Sequence, residues 1–289
     1  MRRLSILLAT VGLIAAVAAP GAAAANSRPV ESLALGDSLA FGYSPYLSPY
    51  DTGAFVGYPD VVAEMVGDRL TNASCPGETS SHFISLDGAD HGCGAWRFLL
   101  SAPLHADYTV FAADPTSQLE FMDAFLAAHP KTQLITIDMG ANDLGALRDA
   151  CVANAGSEGL VACLQAGMPG VLATLSANLD TIYGHIRDLD GYRHKIVALT
   201  IYSSDYRDPL VTGAVLLMNQ VVADRTLAWG GIVADGFGAF AAASASYGGA
   251  TCTAGLLIPL DPGPGCDDHA SPAGRDLLAR TVVQALRPD

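Results

Sequence analysis

Four residues that could take part in one chemistry stand far apart in this chain, each in a turn-forming stretch. They are Ser38 in Gly36-Asp37-Ser38-Leu39, Gly77 in Pro76-Gly77-Glu78-Thr79, Asn142 in Gly140-Ala141-Asn142-Asp143, and His269 in Asp267-Asp268-His269-Ala270. A serine hydroxyl is a poor nucleophile at neutral pH, and it attacks a carbonyl carbon only when a base takes its proton. The charge that then gathers on the carbonyl oxygen needs fixed donors, such as a backbone N–H that glycine lets approach closely or an asparagine amide. We read Ser38 as a catalytic nucleophile. Each residue taken singly also has an ordinary reading: Ser38 and Asn142 as helix caps, Gly77 as a positive-φ turn residue, His269 as a cap or surface residue.

The elements around these residues follow from apolar patterning. Residues 30–35 form an apolar run that predicts a short buried strand, and Gly36 supplies the freedom for a tight turn after it. That places Ser38 at the carboxyl end of a sheet, where open α/β sheets carry their sites. A helix is predicted over 59–69 with Pro59 in its first turn, then a short strand from residue 70 into the Pro76-Gly77 turn. Residues 81–114 read as loop, with His82, His91 and His105 as surface or packing residues that lack any metal-binding spacing.

Further on, an amphipathic helix over 117–129 leads to a strand over 133–138, whose end turns into the Gly140 and Asn142 stretch. A loop over 148–163, helices over 168–189, a strand over 195–201, a helix over 211–229 and a strand over 231–235 follow. The Gly/Ala/Ser stretch 237–250 reads as loop bordering a cleft, His269 lies in a loop over 261–274, and a last helix runs to about residue 286. Strands alternating with helices imply a parallel sheet covered on both faces. With no internal repeat and no linker, residues 26–289 read as one domain.

Residues 1–25 combine Met-Arg-Arg, an apolar run and a small-residue end, the pattern of a secretory signal peptide. No second apolar stretch of membrane-spanning length follows, so the expectation is an exported protein without stable membrane insertion. Removing Arg2 and Arg3 leaves 13 basic against 29 acidic residues, which makes nucleic acid and anionic membrane poor partners. The six cysteines fall into three close pairs, which predicts the disulfides Cys75 with Cys93, Cys151 with Cys163 and Cys252 with Cys266. A zinc site would want Cys-x-x-Cys or Cys/His clustering, and Asp261, Asp267 and Asp268 lack the ligand spacing of an EF-hand. No metal and no cofactor are expected.

Taken in order, Gly36-Asp37-Ser38-Leu39, Pro76-Gly77-Glu78-Thr79, Gly140-Ala141-Asn142-Asp143 and His269 resemble the blocks of the SGNH (GDSL) hydrolases, above all secreted bacterial esterases and lipases with three disulfides. The Gly-x-Ser-x-Gly of an α/β-hydrolase is absent. The resemblance implies a three-layer αβα sandwich with a central, mostly parallel, flavodoxin-like sheet. It implies Ser38 as nucleophile, His269 as general base, and the Ser38 and Gly77 N–H groups with the Asn142 amide as oxyanion donors. The expected partner is a small-molecule or lipid ester, and the expected state a monomer. The family's Asp-x-x-His pattern is broken, since Cys266 stands three residues before His269. The Cys266 carbonyl is therefore the expected orienter of His269, with Asp267 as the alternative acid. Sugar acetyl esters, phospholipids and thioesters would use the same residues, and a non-catalytic binding protein on a decayed site is the rival reading.

Overall fold

The computed structural model describes residues 30–106 and 116–287; the expected signal peptide, residues 1–25, lies outside them. Five short runs form one sheet: β1 (Glu31–Leu35), β2 (Arg69–Asn72), β3 (Thr132–Ile137), β4 (Lys195–Leu199) and β5 (Ile232–Ala234). Their order is β2-β1-β3-β4-β5 and every pairing is parallel. The chain thus leaves β1 for one edge and returns to its other side at β3, the flavodoxin-like order, with a switch point between β1 and β3.

Period-two alternation divides the strand residues between two cores. Leu33, Leu35, Ile135, Ile137, Ile196 and Ala198 join a core shared with α4 (Gln118–Ala128), α5 (Ala141–Gly184) and α6 (Pro209–Ala228) through Met122, Leu175, Leu179, Met218 and Val222. Leu134, Val197, Leu199 and Ala234 face the opposite core with α2 (Tyr58–Val66), α7 (Gly236–Ser244) and α8 (Pro272–Ala285), through Val62, Phe240, Leu278 and Val282. Burying each such aliphatic side chain contributes about 1.5–3 kcal/mol, so two covered faces hold the sheet rigid. The result is a three-layer αβα sandwich.

Local chemistry starts the helices where expected. Ser117 and Glu120 form a reciprocal capping box for α4, and Asp208 and Ser271 cap α6 and α8 just ahead of Pro209 and Pro272. The three predicted disulfides are present, Cys75–Cys93, Cys151–Cys163 and Cys252–Cys266.

Three helical segments differ from the sequence reading. Residues 148–163 are helical, part of α5, and the chain turns back inside that element at Gly156, whose φ is 63°. A straight helix would separate Cys151 and Cys163 by about 18 Å at 1.5 Å per residue, whereas their Cα atoms are 5.6 Å apart. Residues 141–189 are apolar and long enough on composition to cross a membrane, yet the segment reverses at Gly156 and buries Leu175, Leu179 and Ile182 against the sheet and α6. Residues 236–244 form α7 rather than loop, because Asp235 caps it and its Ala residues favour helix. The expected loop 81–114 lies outside the described residues from 107 onward; at its start α3 (Ser80–Ile84) buries His82 against Glu78 at 2.5 Å.

Candidate active site

Ser38 is placed by the buried end of β1. Gly36 turns the chain at φ +134°, and a Cβ there would come 2.5 Å from the Asp138 carbonyl, so both conformation and space demand glycine. The Gln118 carboxamide clamps this turn: the Gly36 N–H donates to Oε1 at 2.6 Å, and Nε2 donates to the Gly36 carbonyl at 3.1 Å and to Glu78 at 3.0 Å. Asp37 then caps α1 (Ser38–Phe41), accepting from the Leu39 N–H at 2.9 Å. Ser38 is the first residue of that helix, so its own N–H has no partner within the helix. Ser38 is 9% exposed and lines a cleft beside this turn.

His269 arrives from a different element than expected. Residues 257–259 and 266–270 pair as an antiparallel hairpin, β6 (Leu257–Pro259) and β7 (Cys266–Ala270). Positions two apart on a strand share a face, so Asp267 and His269 point the same way. His269 Nε2 lies 2.8 Å from Ser38 Oγ, and His269 Nδ1 lies 2.5 Å from Asp267 Oδ1. The same carboxylate oxygen accepts the His269 backbone N–H at 2.9 Å. The bond from His269 is also the main reason the Asp267 carboxyl sits below the ordinary aspartate range. An ionised Asp267 accepts only, so Nδ1 carries the proton and Nε2 offers its lone pair to the Ser38 hydroxyl.

The expected orienter is thereby corrected. The Asp267 side chain, not the Cys266 carbonyl, faces Nδ1, because an extended strand makes two-residue spacing work where three-residue spacing suits a turn. Cys266 instead anchors the hairpin, bonded to Cys252 and paired with Pro259. Asp268 is on the opposite face; its carbonyl accepts from the Tyr202 hydroxyl at 2.7 Å. The Tyr43 ring packs 4.6 Å from the His269 ring, centroid to centroid.

Gly77 and Asn142 follow β2 and β3, the two strands that flank β1, so all three turns emerge side by side at the carboxyl edge of the sheet. Gly77 has φ +81°, and a Cβ on it would lie 2.6 Å from the Gly92 Cα. Asn142 is not a cap: Gly140 occupies that position, leaving Asn142 in the first turn of α5. Its Oδ1 faces His91 Nδ1 at 3.0 Å, while its Nδ2 is buried and has no partner among the described residues. The neighbouring Asp143 accepts from the Ser80 N–H at 3.0 Å and the Ser80 hydroxyl at 2.5 Å, tying the segment after Gly77 to the start of α5.

Sequence reasoning missed what lies beneath Ser38. Asp138, at the end of β3, accepts from the Asp37 N–H at 3.2 Å and from the Tyr58 hydroxyl at 3.0 Å. Burial, and then the adjacent Asp138 charge, hold the fully buried Asp37 carboxyl well above the ordinary range. Burial raises the Asp138 carboxyl as well, but the hydrogen bonds it receives from Asp37 and Tyr58 oppose that rise, so the stronger push falls on Asp37. A charged residue ending an apolar strand was the only signal for Asp138. Gln118 gave none.

Beside Ser38 and His269 opens a cleft of about 290 Å³, lined among others by Tyr43, Leu47, Val56, Ile258, Pro259 and Arg275. A larger apolar groove of about 1080 Å³, between α5 and α6, contains neither residue. Among the described residues one cluster has metal-like proximity, Cys75, Glu78 and Cys93, but both sulfurs are joined in a disulfide.

The match to known proteins agrees with this layout. No curated protein matches the chain in sequence. The extracellular lipase of Streptomyces rimosus is similar in structure at TM-score 0.56 and 18% identity, over 89% of this chain and 99% of that one. Phospholipase A1 from Streptomyces albidoflavus matches at TM-score 0.54 and 18% identity with the same coverage, 89% and 99%. An acetylxylan esterase from Geobacillus stearothermophilus matches at TM-score 0.50 and 16% identity, over 90% and 95%. At these identities the structures share a fold. The GDSL-like lipase/acylhydrolase family model matches residues 34–274, the stretch that carries Ser38, Gly77, Asn142 and His269, and the chain belongs to that family.

Proposed function

We propose that the protein is an exported serine esterase that cleaves carboxylic esters through an acyl-enzyme on Ser38. The continuous line from Asp267 through His269 to Ser38, at 2.5 and 2.8 Å, carries this reading. His269 takes the Ser38 proton as Oγ bonds to the carbonyl carbon, and Asp267 holds the imidazole in the tautomer that can do so. His269 then gives the proton to the leaving alcohol oxygen as the ester bond breaks. Water repeats the sequence on the acyl-enzyme, releasing the acid and restoring Ser38.

The tetrahedral oxyanion is met by the Ser38 and Gly77 N–H groups and the Asn142 amide, whose unpartnered Nδ2 supports that role. Each such donor contributes about 3–4 kcal/mol in the transition state. The cleft of about 290 Å³ is at the small end of ligand sites, which favours a short acyl or acetyl group over a long acyl chain. Three disulfides support export to an oxidising compartment. The test is hydrolysis of p-nitrophenyl esters of increasing chain length, together with labelling by an organophosphonate. Covalent labelling that vanishes in Ser38→Ala, with turnover greatest for short chains, is expected; a folded protein that is neither labelled nor active would overturn the reading.

A further inference from the structure

A second histidine–aspartate pair stands behind Asn142, and nothing in the mechanism above uses it. His91 Nδ1 lies 3.0 Å from Asn142 Oδ1, and His91 Nε2 lies 3.1 Å from Asp149 Oδ2. A carboxamide oxygen and a carboxylate oxygen both accept only. Both ring nitrogens must therefore carry protons for both contacts to be hydrogen bonds in this geometry.

The surroundings are shaped for that ring. Asn142, Gly145 and Asp149 recur at three and four residues, so they lie along one face of α5. A Cβ on Gly145 would come 2.7 Å from His91 Cε1, which makes the glycine a slot for the imidazole edge. From α5, Arg148 donates to the other Asp149 oxygen at 3.1 Å, and Asp143 presents a carboxylate already engaged by Ser80. On the loop that carries His91, Asp90 is turned to the Gly94 N–H at 3.2 Å and lies 3.9 Å from His82, itself paired with Glu78. The immediate charge partner of His91 is thus Asp149, whose carboxyl its bond holds below the ordinary range.

A carboxamide can be turned by half a rotation about its last bond, and only one orientation presents Nδ2 to a forming oxyanion. We propose that doubly protonated His91, held by Asp149, is a positioning residue that keeps the Asn142 amide in that orientation. The inference rests on the oxyanion role given to Asn142 above. When the ring loses one proton, the carboxylate retains the proton on Nε2, and the bare Nδ1 then favours the amide NH₂. Asn142 turns over, and its oxygen faces the charge it should stabilise. Activity therefore needs His91 to keep both protons, and kcat should fall at the alkaline side once that ring gives one up.

The test compares kcat and KM for p-nitrophenyl acetate across pH in wild type, His91→Phe, Asn142→Ala, the double variant and Asp149→Asn. Expected are a kcat loss of about 100- to 1,000-fold in Asn142→Ala, a loss of at least about tenfold in His91→Phe with KM little changed, and a double variant no slower than Asn142→Ala. The falling limb should be missing in His91→Phe and displaced to lower pH in Asp149→Asn, where the ring loses its anionic partner. His91→Gln, which can still donate to Asn142, should restore most of kcat without the falling limb. In wild-type protein, ring ¹⁵N shifts should show both His91 nitrogens protonated at the pH of greatest activity. A neutral His91 there, or losses that multiply in the double variant, would overturn the inference while leaving Asn142 as a donor. Full kcat in Asn142→Ala would instead remove the oxyanion role itself, and the inference with it.

Discussion

Asp267 meets His269 through a single carboxylate oxygen, which accepts both the imidazole Nδ1–H at 2.5 Å and the histidine's own backbone N–H at 2.9 Å. The acid thus fixes the tautomer and the rotation of the ring at once. Asp267→Asn would aim an amide NH₂ at Nδ1 and stabilise the wrong tautomer, so kcat should fall on the order of 10⁴-fold, as for the serine-protease acid. Asp268→Asn, on the other face of β7, should cost less than about tenfold. Rates on p-nitrophenyl acetate with circular dichroism as the folding control check both; equal effects of the two substitutions would return the orienting role to the backbone.

Ser38→Ala and His269→Ala should each remove nearly all turnover, and the double variant should be no slower than either one, because nucleophile and base act as a unit. Single-turnover kinetics measure this. A folded variant retaining a tenth of the wild-type rate contradicts it.

Asp37 gives stability a pH dependence of definite sign. Its carboxyl ionises near 3.8 in the unfolded chain but well above that when buried beside Asp138. Between the two values the folded state binds the extra proton, so stability falls as pH rises. Asp37→Asn mimics the protonated acid, with its oxygen still able to cap Leu39 and its NH₂ able to donate to Asp138. Variant and wild type should melt together near about pH 4, and the variant should gain an increasing advantage as pH climbs. Parallel melting curves across that range would exclude a protonated Asp37.

The disulfides should open in a fixed order. Cys75 and Cys93 are fully buried, whereas Cys252 and Cys266 are partly exposed. Mild reductant should therefore release the Cys252–Cys266 bridge before Cys75–Cys93, and full reduction should remove about 3 kcal/mol per bridge. Thiol counting by mass spectrometry alongside thermal melts follows the order. A melting temperature indifferent to complete reduction would contradict the second part.

Apolar periodicity made the sheet legible, since β1, β3 and β4 are buried on both faces and read as continuous runs. The reversal at Gly156 was hidden because a polar, glycine-bearing stretch reads as loop even where both arms are helical. β7 was hidden for a different reason: Cys-Asp-Asp-His-Ala shows no alternating apolar face, and its strand state comes from pairing with β6. The turn residues Ser38, Gly77 and Asn142 were visible because each follows a strand directly. Asp267 was visible only as the alternative to the Cys266 carbonyl, and Gln118 and His91 were not visible at all, since their contacts join segments that only the folded sheet brings together.

The hairpin of β6 and β7 carries Asp267 and His269 together, while Ser38 belongs to the central sheet. Its ties to the body include the Tyr202 hydroxyl on Asp268 at 2.7 Å and the Tyr46 hydroxyl on Pro259 at 2.9 Å. When heat loosens so small an element ahead of the packed layers, the hairpin swings as a unit and the acid never leaves the base. The contact across to Ser38 opens together with those ties. Such local opening should show as a reversible loss of turnover on warming, ahead of the circular-dichroism transition that reports the sandwich.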